Sequence, residues 1–190
     1  MKKIILRNIN GKKVLLLFIL TSLVYGFMLM VTIPKVMSFS DGMKLLDMMP
    51  AGYNLEYVNS FFNTLGEKGR DAYLFNQIPV DLIYPFLFGI SNCLLMAYFL
   101  HKLNRLNGPL FYLCLLPLAA GILDYGENVG IITMLTNYPE ISDLSVTTAN
   151  IFTVSKSVVT SAYFVALIIT LIALGVNALN RKNPTIEKGQ

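Results

Sequence analysis

The sequence predicts an all-α membrane protein, a four-transmembrane-helix bundle in a single domain, with a helical extracytoplasmic segment between helices 1 and 2. Three observations carry that expectation. Of 190 residues, 55% are hydrophobic and 14% are charged, with a mean hydropathy of +0.60, which is too little charge for a surface that faces water throughout. The apolar residues fall into blocks long enough to cross a bilayer, where a soluble helix would show short amphipathic periods. The basic residues concentrate at one set of block ends, as they do in polytopic proteins.

The four blocks run over about 14–33, 80–100, 110–135 and 154–179. Each is near the ~20 helical residues that span ~30 Å of hydrocarbon. The third contains Asp124, Glu127 and Asn128 and is the least apolar. Without it the chain would cross three times and carry its basic C-terminal tail to the far side. The first block is longer than the ~7 to 15 apolar residues of a signal peptide, and no small-x-small cleavage site precedes Ser38, so it reads as an anchor.

Lys and Arg beside a span are retained in the cytoplasm, and acids count for little. Lys2, Lys3, Arg7, Lys12 and Lys13 precede the first block, Lys102 and Arg105 lie between the second and third, and Arg181, Lys182 and Lys188 follow the fourth. Four crossings put all three groups on the cytoplasmic side, with both termini, in a bacterial inner membrane. Lys35, Lys44, Lys68, Arg70 and Lys156 fall on the other side with nearly all the acids. The net charge of +4 is therefore a topology signal, and no nucleic-acid partner is expected.

Residues 34–78 form an external segment too long for a mere connection. Helical texture runs from Gly42 to Met49, from Asn54 to Leu65 with Asn54 as N-cap, and from Glu67 to Gln77. Tyr53, Tyr57, Phe61 and Leu65 recur every four residues as one apolar stripe. That stripe is expected to cap the bundle or lie on the outer membrane surface, with a partner-docking face as the alternative. Residues 136–153 read as an external loop. Gly126 and Gly130 form a G-x-x-x-G pair for close helix packing. Pro85 and Pro117 are expected to kink their helices and free carbonyls for a ligand or water, and Asn92 to hydrogen-bond across helices.

Ionisable groups inside a span are costly and usually face the interior. Asp124, Glu127 and Asn128 share one helical face at i, i+3 and i+4. Asp81 and Lys156 begin their blocks at a similar depth, and Arg70 lies just upstream of the second block. Two readings stay open. In one, Lys156 and Arg70 simply neutralise the acids and fix helix register; in the other, the group lines an outward-opening polar cavity that binds a ligand or moves a proton. No metal or cofactor is expected. His101 is the sole histidine and stands at the cytoplasmic end of the second block, and no P-loop, dinucleotide-binding glycine pattern or C-x-x-C occurs. Cys93 and Cys114 read as packing residues.

The string Leu65-Gly66-Glu67-Lys68-Gly69-Arg70-Asp71-Ala72-Tyr73 is followed by Asp81, Pro85, Asp124-Tyr125-Gly126-Glu127-Asn128 and Thr153-Val154-Ser155-Lys156. Together these resemble a pattern in uncharacterised four-span bacterial inner-membrane proteins, over about residues 50–156. The resemblance implies the four-span topology, picks out Arg70, Tyr73, Asp81, Asp124, Glu127, Asn128 and Lys156, and implies no activity. The expected function is binding of a small molecule or lipid by a transporter-like or accessory subunit, with a second copy or another membrane protein as partner. The alternatives are an intramembrane enzyme acting on a lipid-linked substrate, with Asp124 or Glu127 as acid or base, and a purely structural polar network.

Overall fold

The computed structural model of the chain describes residues 2–182, and every regular element among them is a helix. The helices are α1 (Lys2–Asn8), α2 (Gly11–Phe27), α3 (Ile33–Met37), α4 (Leu55–Ala72), α5 (Ile78–Lys102), α6 (Leu116–Asn137) and α7 (Asp143–Lys182). Four helical runs are long and apolar enough to cross a membrane: Gly11–Met37, Leu55–Lys102, Pro109–Asn137 and Asp143–Asn180. Their outer faces carry exposed Leu15, Leu16 and Met30 on the first run and Ile168, Ile169 and Ile172 on the last, the surface a helix shows to lipid.

Two of these runs are built alike. In the first, α2 passes through a π turn over Met28–Thr32 into α3, and in the second, α4 passes through a π turn over Tyr73–Gln77 into α5. Each π turn is followed by Ile-Pro, Ile33-Pro34 and Ile78-Pro79. A proline lacks its N–H and its ring crowds the carbonyl four residues back, and a widened turn relieves that crowding. The two π turns meet, where the Thr32 hydroxyl donates to Gln77 Oε1.

The second run is far longer than its apolar stretch. At ~1.5 Å per residue, α5 alone is long enough to cross the ~30 Å of hydrocarbon, and α4 continues beyond it. Asn54 caps α4 by accepting from the Tyr57 N–H at 2.9 Å. Gly66 breaks the helix with φ 63° and ψ −178°, a conformation open to glycine. Tyr53, Phe61 and Leu65 of the stripe are buried, with Val58 and Phe62 beside them, while Tyr57 is half-buried. Gly42–Met49 is not a helix: only a 3₁₀ turn over Leu46–Met48 forms, since Asp41 and Gly42 both take positive φ. Nor is 136–153 a loop. The helix α7 begins at Asp143, and Lys156 therefore lies several turns inside it.

α6 packs along both α5 and α7, and α2 packs along α5. Glycines set the spacing. A Cβ on Gly121 would stand 2.8 Å from the Pro85 carbonyl oxygen, and one on Gly89 would stand 3.3 Å from that of Pro117. The same P-x-x-x-G pattern (Pro85-Gly89, Pro117-Gly121) thus meets itself across the antiparallel α5–α6 contact. Pro117 lies in the first turn of α6, where no N–H is needed, so it starts that helix instead of kinking it. On the other flank, Gly126 lies against the Phe152 ring and Gly130 against Ala149.

Two apolar cores result. One gathers Val36, Leu45, Phe61, Tyr73, Met134 and Val146, and the other gathers Val14, Phe88, Met96, Leu100, Cys114 and Tyr163. Along α6 the order is Ala120 in the second core, then Asp124, Glu127 and Asn128, then Ile131 in the first. The polar residues are a layer between the two cores. A Gly121→Leu substitution should force α5 and α6 apart and cost about 1–3 kcal/mol, whereas Gly175→Leu, with nothing within 4 Å of its Cβ position, should leave stability unchanged. Thermal unfolding followed with a thiol-reactive dye reads both, because Cys93 and Cys114 are buried until the fold opens.

Candidate functional site

The close α6–α7 contact made by Gly126 and Gly130 brings the acidic face of α6 within reach of α7. Lys156 Nζ forms an ion pair with Glu127 Oε2 and a second with Asp124 Oδ1 at 3.2 Å. These are the only ion pairs among the described residues. Glu127 is fully buried, while the Asp124 and Lys156 side chains keep 11% and 17% of their exposure, so the pair's open edge is on the Asp124 side. The other Glu127 oxygen accepts from the Thr153 hydroxyl at 2.7 Å. Tyr53 OH lies 3.3 Å from Thr153 Oγ1. Since the single Thr153 proton goes to the carboxylate, the phenol donates to Thr153. Burial holds the Tyr53 phenol above the ordinary tyrosine range, so it keeps that proton at neutral pH.

The remaining residues join beside Pro85, inside α5. Proline has no N–H for the carbonyl of Asp81 four residues back, and Asn128 Nδ2 donates to that carbonyl at 3.1 Å instead. Tyr125, from the same helix, donates its hydroxyl to the next carbonyl, that of Leu82, at 2.8 Å. The carbonyl freed by Pro85 is therefore taken by a side chain. The Asp81 carboxylate, with the residue 5% exposed, receives no hydrogen bond from the described residues, and neither does Asn128 Oδ1. Tyr73, fully buried, donates to Asp47 Oδ1 at 2.8 Å. Asp47 lies within electrostatic reach of Asp81, Asp124, Glu127 and Lys156.

Of the residues singled out by sequence, Asp124, Glu127 and Lys156 bond to one another, Asn128 holds the Asp81 carbonyl, Tyr73 bonds Asp47, and Arg70 bonds none of them. Its Nη1 donates to the Phe62 carbonyl at 2.8 Å and its guanidinium lies 4.2 Å from the centre of the Tyr138 ring. The physical reason is the break at Gly66. It leaves the last carbonyls of the first half of α4 without helical donors, and an arginine one turn on supplies one. Asp47, Tyr53 and Thr153 escaped the sequence reading of the cluster. Thr153 is three residues before Lys156 and so on its face of a helix, a signal hidden by reading 136–153 as a loop. Asp47 sits in an irregular segment with no periodicity to place it. Among the described residues no three His, Cys, Asp or Glu side chains converge closely enough to hold a metal ion.

A cavity of about 400 Å³ adjoins Asp124 and Lys156. Its floor is α5 and α6, its walls are α2 and α7, and those two walls do not pack along one another. Phe18, Tyr25, Tyr84, Phe88 and Phe164 line it, and the exposed Phe18, Tyr25 and Phe164 edge its mouth. It is a lateral groove, apolar along most of its length and charged at one end. At its far end Asn92 accepts from the Tyr163 hydroxyl at 2.9 Å, the cross-helix bond expected of it.

Replacing Lys156 by Met strands Glu127 and Asp124 without a counter-ion and should cost about 3–5 kcal/mol. Adding Glu127→Gln and Asp124→Asn to Lys156→Met should recover a large part of that loss, as thermal unfolding of the three proteins would show. No protein-family model matches the chain, and neither do the curated proteins or the solved structures that were compared with it.

Proposed function

We propose that the protein binds an amphiphile, a lipid or a lipid-like small molecule, in the groove between α2 and α7. The apolar part lies along the aromatic wall and the polar head meets Asp124 and Lys156. One observation carries this reading: the groove of about 400 Å³ opens sideways between two helices with apolar outer faces and ends on a buried ion pair. A ligand entering from lipid keeps its chain in apolar surroundings throughout, and only its head meets charge. An aqueous solute would have to cross the lipid-facing surface first.

On this reading the chain lies in a bacterial inner membrane with both termini in the cytoplasm. The segment Pro34–Ile78 is outside, and Asp124, Glu127 and Lys156 are at the depth of the outer leaflet. The basic tails and the Lys102 to Arg105 turn support that orientation. Four crossings are few for a transporter that works alone, so the ligand-binding unit is an accessory subunit or one copy of an oligomer.

Native mass spectrometry of the full chain, extracted in a mild detergent, should find a retained amphiphile. A Thr160→Trp variant, which fills the groove from α7, should lose it while unfolding at the temperature of the native chain stripped of ligand. Retention of the same ligand by that variant would place binding elsewhere. Cysteines introduced at Lys2 and at Gln190 should both resist an impermeant thiol reagent added to intact cells. Labelling of one and not the other would mean an odd number of crossings and overturn the orientation.

A further inference from the structure

We infer that the groove selects an amphiphile with a cationic head, a long-chain amine or ammonium, over one with an anionic head. This rests on the groove reading above and adds the charge class of the ligand.

Charge is the first argument. Two carboxylates, of Asp124 and Glu127, share the single ammonium of Lys156. Arg70, one of the cations on the adjoining segment, is turned to the Phe62 carbonyl and the Tyr138 ring. The Lys156 ammonium is bonded to two carboxylates, so its charge is already met and it has little left to offer an anion. Among the described residues no other cation lines the groove. Asp124 accepts from Lys156 through Oδ1 alone. Its Oδ2 receives no hydrogen bond from the described residues, on a side chain that is 11% exposed and lines the groove. An N–H donor arriving in the groove would find that oxygen open. A phosphate or carboxylate would find like charge.

The wall is the second argument, and it is independent of the first. Five aromatic rings surround the cavity. Tyr25 and Tyr84 stack at 5.3 Å and 24°, and Tyr84 lies within electrostatic reach of both Asp124 and Asp81. Ring faces carry negative charge density and attract ammonium groups. Rings beside an under-neutralised carboxylate, in a groove walled from water, are the surroundings in which a substituted ammonium is favoured over water. An alkyl phosphate would gain the same chain burial and none of the head-group attraction.

Three probes of one chain length separate the outcomes: hexadecylamine, hexadecanol and hexadecyl phosphate, each titrated against the full chain in a nonionic detergent. Affinity is read from the concentration dependence of the thermal midpoint. The amine should bind most tightly and the phosphate most weakly. Asp124→Asn should weaken the amine about tenfold, the scale of one charge-assisted contact, and the alcohol by less, since a hydroxyl still finds the Asn oxygen as acceptor. Should that variant fail to fold, Tyr25→Leu at a half-exposed position should weaken the amine about threefold, the scale of one exposed cation–π contact, and more than it weakens the alcohol, which loses only chain contact. Phosphate binding as tightly as amine would overturn the charge class and leave the groove standing. Loss of all three on Thr160→Trp, with the amine preferred in the native chain, is the supporting result. No binding of any probe by the native chain would overturn the groove reading and this inference together.

Discussion

The ion pair of Lys156 with Glu127 and Asp124 is the constraint around which the rest is arranged. Two carboxylates one helical turn apart, one of them fully buried, cannot both stay charged in an apolar interior without a cation between them. The ammonium that meets them comes from another helix, and it can do so because Gly126 and Gly130 let α6 and α7 approach until Cβ atoms would collide. Packing and charge therefore specify the same register. A slip of α7 by one turn would carry Lys156 out of reach and move Ala149 off Gly130.

The polar layer has its counterpart in the backbone. Three prolines interrupt the helical hydrogen bonding of the first two runs: Pro34 and Pro79, each just after a π turn, and Pro85 inside α5. Each leaves helical backbone or polar side chains in need of partners where water is scarce. Thr32 meets Gln77, Asn128 meets the Asp81 carbonyl, and Tyr125 meets the Leu82 carbonyl. The helices are thus held to one another by side chains that complete one another's backbone as much as by apolar contact. Among the described residues the Asp81 carboxylate and Asn128 Oδ1 receive no hydrogen bond. A groove beside such a layer is a natural place for an incoming head group.

How much of this was legible depends on what kind of interaction places each residue. The spans were legible because apolar length is a local property, and the N-cap at Asn54 and the glycine pair at 126 and 130 were legible because each acts within one or two turns. Asp124, Glu127 and Asn128 could be put on one face because helical periodicity dictates it. Arg70 could not be placed, because its partner is a carbonyl exposed by a break that only Gly66's conformation creates. Pro117 was misread as an interior proline because a 3₁₀ turn over Pro109–Leu115 moves the start of α6 forward.

By itself the sequence determined the number of long apolar helices, the acidic face of α6, the closeness of α6 to a neighbour and a basic bias at one set of helix ends. All follow from composition and short-range periodicity, which any fold of this chain must respect. Only the tertiary structure decided that Lys156 is the one cation to reach the acids, that Asp47, Tyr53 and Thr153 join them, and that a groove opens between α2 and α7. Those depend on where irregular segments return and on which helices fail to touch, and neither is encoded in the spacing of residues along a single helix.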